Sequence, residues 1–180
     1  MLLNRHRSCL LVVDIQERLA PAMSDLERAL RNSAILMQGA ARLGVPMLVS
    51  EQYPKGLGST LPEIKRLAPA EAIVRKVHYS CAGEPELRRR LDELGRSQIV
   101  VCGMETHVCV LQSALGLRQA GFEPAVVADA TASRAPSNRE AALERLRADG
   151  VDIVTTERVI FEWLEHAGTD EFREVSRLIK

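Results

Sequence analysis

The chain has 180 residues, 46% of them hydrophobic, with Lys+Arg and Asp+Glu matched at 24 each. A length of that order forms one compact unit with a sizeable core, so a single domain over residues 1–180 is expected. Zero net charge offers no field to attract nucleic acid or an acidic membrane and points instead to a small-molecule substrate.

The first apolar run, Cys9 to Val13, is too short for a signal peptide or a membrane span and meets Asp14 at once. With four cysteines and no C-x-x-C pairing, free thiols in a reducing cytoplasm are the expectation. Cys9 to Asp14 reads as a strand buried on both faces, because its apolar residues do not alternate with polar ones. Leu26, Leu30, Met37 and Ala41 then recur at helical spacing, with Ser24 and Glu27 as a capping box and Gly44 as the stop. A second strand, Pro46 to Ser50, leads into a long ordered loop from Glu51 to Pro69, and a third strand covers Ala72 to Arg75. Leu87, Leu91 and Leu94 mark another amphipathic helix, ended by Gly95. Strands follow at Gln98 to Cys102, Ala125 to Ala128 and Asp152 to Thr155. Ser137 and Glu140 cap a helix that closes at Gly150, and two helices around Arg158 to His166 and Asp170 to Leu178 finish the chain. Strands alternating with helices predict an α/β, three-layer Rossmann-like fold, a six-stranded parallel sheet with helices on both faces, and an order of 3-2-1-4-5-6 would put strands one and four either side of the reversal.

In such a sheet ligands bind beyond the carboxyl ends of the strands, where strand order reverses. Strand one ends in Asp14, strand three runs into Lys76, and strand four leads through Gly103-Met-Glu-Thr106 into a helix that carries Cys109. With Thr106 as N-cap, Cys109 falls in the first turn, where the helix dipole and a nearby lysine favour a thiolate. Asp14 can accept the thiol proton, and free N–H groups at the helix start can hold an oxyanion. Each residue also has a plainer reading. A cysteine on a helix is usually a packed apolar residue, and a lysine at a strand end is usually solvated. Cys9 and Cys102 sit inside strands and read as core; Cys81 is a loop residue without an evident partner. His107 stands two positions from Cys109, on another helical face, while His78 follows Lys76 at strand spacing. No H-E-x-x-H or clustered Cys/His spacing marks a metal site, and no G-x-G-x-x-G follows strand one, so neither metal nor other cofactor is expected.

The segments Leu10-Leu-Val-Val-Asp-Ile-Gln-Glu17, Ile73-Val-Arg-Lys-Val-His-Tyr-Ser80 and Val100-Val-Cys-Gly-Met-Glu-Thr-His-Val-Cys-Val110 resemble the isochorismatase-like cysteine hydrolases. The resemblance runs nearly the full chain, and Ser50-Glu-Gln-Tyr-Pro-Lys-Gly-Leu-Gly58 resembles the isochorismatase domain-containing subgroup. It implies a catalytic triad of Asp14, Lys76 and Cys109, a cis peptide at Met104–Glu105, and an oxyanion hole from the N–H groups of Glu105 and Cys109. It also implies a homo-oligomer. Where nicotinamidases carry an Asp-x-His metal motif after strand two, this chain has Glu51-Gln-Tyr53, which departs from that branch. The reading is a hydrolase of a small amide, ureide or related C–N bond, working through an acyl-thioester on an unusually acidic Cys109 thiol. The competing readings are a silent binding or interaction protein on the same fold, and metal-assisted hydrolysis through Asp14 with His78 or His107. Substrate selection is expected from Gln16, Glu51, Gln52, Tyr53 and Lys55, with Tyr79 and His107 as walls. Phe161 and Trp163 form a late apolar stretch available either to the core or to a subunit contact.

Overall fold

The computed structural model of the protein describes residues 1–180. Six strands, β1 (Ser8–Val13), β2 (Met47–Gln52), β3 (Ile73–Lys76), β4 (Gln98–Met104), β5 (Glu123–Ala132) and β6 (Asp152–Val154), form one sheet in the order β3-β2-β1-β4-β5-β6. All neighbouring pairs are parallel, as the alternation of strands and helices predicts. The helices are α1 (Leu26–Leu43), the single turns α2 (Pro54–Leu57) and α3 (Pro62–Lys65), α4 (Pro85–Leu94), α5 (Leu111–Gln119), α6 (Pro136–Ala148), α7 (Thr156–Leu164) and α8 (Asp170–Val175).

Strand alternation divides the interior in two. Leu10, Val12, Met47, Val49, Val100 and Cys102 point to one face, where Leu36, Met37 and Ala40 of α1 meet Val159, Ile160 and Trp163 of α7. Cys9, Leu11, Val13, Leu48, Val74, Ile99 and Val101 point to the other, covered by Leu87 and Leu91 of α4, Ala114 and Leu117 of α5, and Leu143 and Leu146 of α6. Every residue of β1, β2 and β4 is buried, which accounts for their near-continuous apolar sequence. Trp163 goes to the core and donates its Nε1–H to Ser8 Oγ at 3.0 Å, while Phe161 stays 45% exposed.

Several local expectations are corrected. Ser24 does not cap α1: its hydroxyl donates to the Ser133 carbonyl at 2.7 Å, and Asp25, at φ 59°, turns the chain into the helix. Ser137 does not cap α6, because Pro136 already supplies the first helical residue, pre-set in φ and without an N–H. The side-chain caps are Thr155 on α7 and Thr169 on α8. The stretch from 51 to 69 is less open than its composition suggests, since β2 runs on to Gln52 and Pro54 and Pro62 each start one helical turn. After α8 the last turn tightens into a 3₁₀ segment, Ser176–Ile179.

The exit from β4 matters most for the site. Gly103 pairs with Val13 and has φ +127°; a Cβ there would lie 2.0 Å from the Val13 carbonyl oxygen. Glu105 follows at φ 56°, ψ 62°. The Met104–Glu105 peptide, expected to be cis, is trans, as are all others. The chain turns instead through the dihedrals of Gly103 and Glu105, a left-handed pair that redirects it without a cis bond.

Candidate active site

The side chains that bear on chemistry come from the face covered by α4, α5 and α6. Ser50 and Gln52 follow Leu48 at period two, and Lys76 follows Val74 in the same way, so all three project to that face. Asp14, one residue past β1, has φ 53° and is wholly buried. Its Oδ1 accepts from Ser50 Oγ at 2.7 Å and its Oδ2 from Lys76 Nζ at 2.8 Å. Both members of this ion pair have fully buried side chains.

Cys109 lies in a wide π turn, Thr106–Val110, that runs directly into α5. Glu105, and not Thr106, is the residue before the helix. The Glu105 N–H has no acceptor, and the buried Thr106 Oγ1 has no partner, so the start of the helix holds unused polar groups. A π turn widens the backbone where it occurs and often marks a functional site. Cys109 is 4% exposed, and its thiol lies close enough to Asp14 and Lys76 to feel both charges. Burial first, then the Asp14 charge, push the thiol well above the usual cysteine range against the opposing pull of Lys76. The acidic thiol expected from the helix start is therefore corrected: in the resting site the proton stays on sulfur. Lys76 is shifted the other way from what burial alone would give. Burial opposes its charge, yet the Asp14 carboxylate paired with it holds it protonated above the ordinary lysine range.

Around Asp14, Lys76 and Cys109, the remaining candidates separate. Gln16 is buried, and its amide donates to the carbonyls of Gln52 at 3.0 Å and Gly58 at 2.7 Å while accepting from Gln52 N at 2.8 Å, so it ties the loop after β2 to the end of β1. Glu51 points to the opposite face, where Oε1 accepts from Thr60 N at 2.7 Å and Thr60 Oγ1 at 2.9 Å. It lines a groove of about 690 Å³ with Lys65, Arg75 and Arg90 along the free edge of β3, and that groove contains none of Asp14, Lys76 or Cys109. Tyr53 and Tyr79 are more than half exposed, and Lys55 is exposed on α2. His107 is half-buried, with Nδ1 3.1 Å from Ser133 Oγ and 3.4 Å from Glu105 Oε2. His78 turns outward to Glu84 at 3.0 Å. No group of three or more His, Cys, Asp or Glu side chains stands ready to hold a metal ion.

Sequence reasoning missed Ser50, Ser113 and Cys81. Cys81 is fully buried; its N–H donates to Ser113 Oγ at 2.8 Å, and burial first, then Asp14, push its thiol up to about 11 against Lys76 and the Ser113 and Ser50 hydroxyls. Ser113 lies one helical turn beyond Cys109, a spacing visible in the sequence.

Residues 8–158 match the isochorismatase domain. Isochorismatase domain-containing protein 1 of Danio rerio is 43% identical over 93% of this chain, which spans 59% of that protein's length. Isochorismatase domain-containing protein 2A of Mus musculus is 37% identical over 96% of this chain and 82% of its own. A structure named MAR1 ribonuclease from Caenorhabditis elegans superposes with a TM-score of 0.92 at 32% identity, covering 98% of this chain and 91% of the other. No helix is long and apolar enough to cross a membrane. From the match of residues 8–158 and relatives of this extent, the chain belongs to the isochorismatase domain family.

Proposed function

We propose that the protein is a cysteine-dependent hydrolase of a small amide or related C–N bond. The observation that carries this reading is a buried thiol at a helix start under the influence of a buried carboxylate that is ion-paired with a buried lysine. Cys109 sulfur attacks the substrate carbonyl carbon as its proton passes to Asp14. The carbonyl oxygen becomes an oxyanion facing the N–H groups of Glu105 and Cys109. Collapse breaks the C–N bond, the leaving nitrogen takes the proton from Asp14, and a thioester remains. Water, deprotonated by Asp14, then adds to the thioester carbonyl, the acid is released, and the proton returns to sulfur. Lys76 keeps Asp14 ionised between these transfers. Because the thiol is neutral at rest, proton removal and attack are coupled to substrate binding, which protects the sulfur from adventitious electrophiles. Tyr53, Tyr79 and His107 are the candidate substrate contacts, while Gln16, expected among them, is committed to holding the loop after β2. A homo-oligomer in the cytoplasm completes the reading, with Phe161 available for a subunit contact.

Small primary amides and ureides, incubated with the protein and quenched in acid, should leave an acyl adduct on Cys109 that intact-mass and peptide spectra locate. Cys109→Ser should abolish both adduct and turnover. Turnover that survives Cys109→Ala would remove the cysteine from the mechanism.

A further inference from the structure

The Lys76 ammonium has four acceptors and Cys109 is not among them: Gln52 Oε1 at 2.6 Å, Asp14 Oδ2 at 2.8 Å, His78 O at 3.2 Å and Tyr79 O at 3.3 Å. The shortest contact is to a neutral amide, not to the carboxylate. Gln52 is 8% exposed, and the other end of its amide is also used, with Nε2 donating to the Val77 carbonyl at 2.9 Å. The amide orientation is fixed by its surroundings, because the reverse would set an NH₂ against an ammonium and a carbonyl against a carbonyl. Its backbone is held as well, by both polar ends of the Gln16 side chain.

We propose that Gln52 is a positioning residue for Lys76. Its carbonyl oxygen fixes the ammonium directly. Its NH₂ holds Val77, the residue just before the two carbonyls that supply the remaining acceptors, so one amide organises three of the four contacts around the charge. Its carbonyl oxygen and one of its two amide N–H groups are thus committed to the protein. This gives Gln52 a role besides the pocket lining expected of it, and it rests on the reading of Cys109, Asp14 and Lys76 as one unit.

The test needs no known substrate. Alkylation of Cys109 by iodoacetamide in the full-length protein, followed by intact mass across neutral and alkaline pH, reports how strongly Lys76 lowers the thiol's proton affinity. Lys76→Met sets the full effect, a slower reaction at neutral pH and a midpoint displaced upward. Gln52→Met is expected to reproduce part of it, slowing alkylation at neutral pH on the order of ten-fold, equivalent to a midpoint about one pH unit higher. A glutamine that merely filled space would leave the profile unmoved once circular dichroism showed the fold intact. If Gln52→Met does not fold, Gln52→Ser, which leaves room for water, is held to the same criterion. A Gln52 variant that overlays the wild-type profile while Lys76→Met shifts it overturns the positioning role. A Lys76→Met profile identical to wild type overturns the coupled Cys109 unit itself.

Discussion

At Cys109 two charges act in opposite directions: Asp14 keeps the proton on sulfur, Lys76 pulls it off, and burial adds to Asp14. Asp14→Asn removes the carboxylate charge and leaves Lys76 unopposed, so the thiol should become more acidic even as the base is lost. The expected result is a split, with iodoacetamide alkylation at neutral pH faster by about ten-fold and amide turnover absent. Slower alkylation in this variant would mean that Asp14 does not set the proton on sulfur. Asp14, Lys76 and Cys109 stood out in the sequence because each interrupts or follows an apolar run, where a charge or thiol has to be accounted for. Ser50, Gln52, Cys81 and Ser113 were harder to place. Ser50 and Gln52 continue a strand past its apolar stretch, and only the face they share with Leu48 reveals where they point. The state of the thiol was not legible at all, because a helix start and a lysine argue for acidity while the depth of burial, which decides, is a tertiary property.

Among the elements, the exit from β4 carries the tightest constraint. Gly103 combines a left-handed φ with a Cβ position already filled by the Val13 backbone, whereas Gly95, at φ +61°, ends α4 with nothing within 4 Å. Gly95→Ala should therefore cost only the conformational penalty, about 1–2 kcal/mol. Gly103→Ala adds a backbone collision that must push β1 and β4 apart, and should cost about 3 kcal/mol or more. Urea unfolding of the two variants compares them directly, and equal losses would show that the close approach to Val13 contributes nothing. The strands were readable from apolar runs between helical patterns, because fully buried parallel strands have little other way to be written, whereas their lateral order is not written in those runs. Helix starts were misread where a proline at the first helical position, or a left-handed Asp25, replaced the serine cap. The continuation of β5 to Ala132 was lost because a register shift between Val101 and Gly103 breaks the pairing pattern.

Across the whole molecule all four cysteines are buried and free, and all four hold their protons more tightly than in the unfolded chain. Burial, the largest cause, carries Cys9 and Cys102 to about 12 and Cys81 to about 11, from an ordinary 9.0. A raised value means the folded state binds the proton that the unfolded state releases, so this contribution is intact below pH 9 and declines as pH climbs toward the folded values. Each thiol should then remove about 1.4 kcal/mol of stability per pH unit above that point. Urea midpoints should be level near neutrality and fall steeply in alkali, and Cys9→Val with Cys102→Val should flatten the fall; an unchanged slope in the double variant would count against it. The sheet order has a consequence in time as well. β1 leaves the ribosome first, yet it is the strand sealed between two partners, and Ser8 finds Gln98 only 90 residues later. Until β4 is made, one edge of Cys9–Val13 has no mate, so synthesis halted before Gln98 should release a chain that aggregates, and folding should be paced by this long closure rather than by its helices.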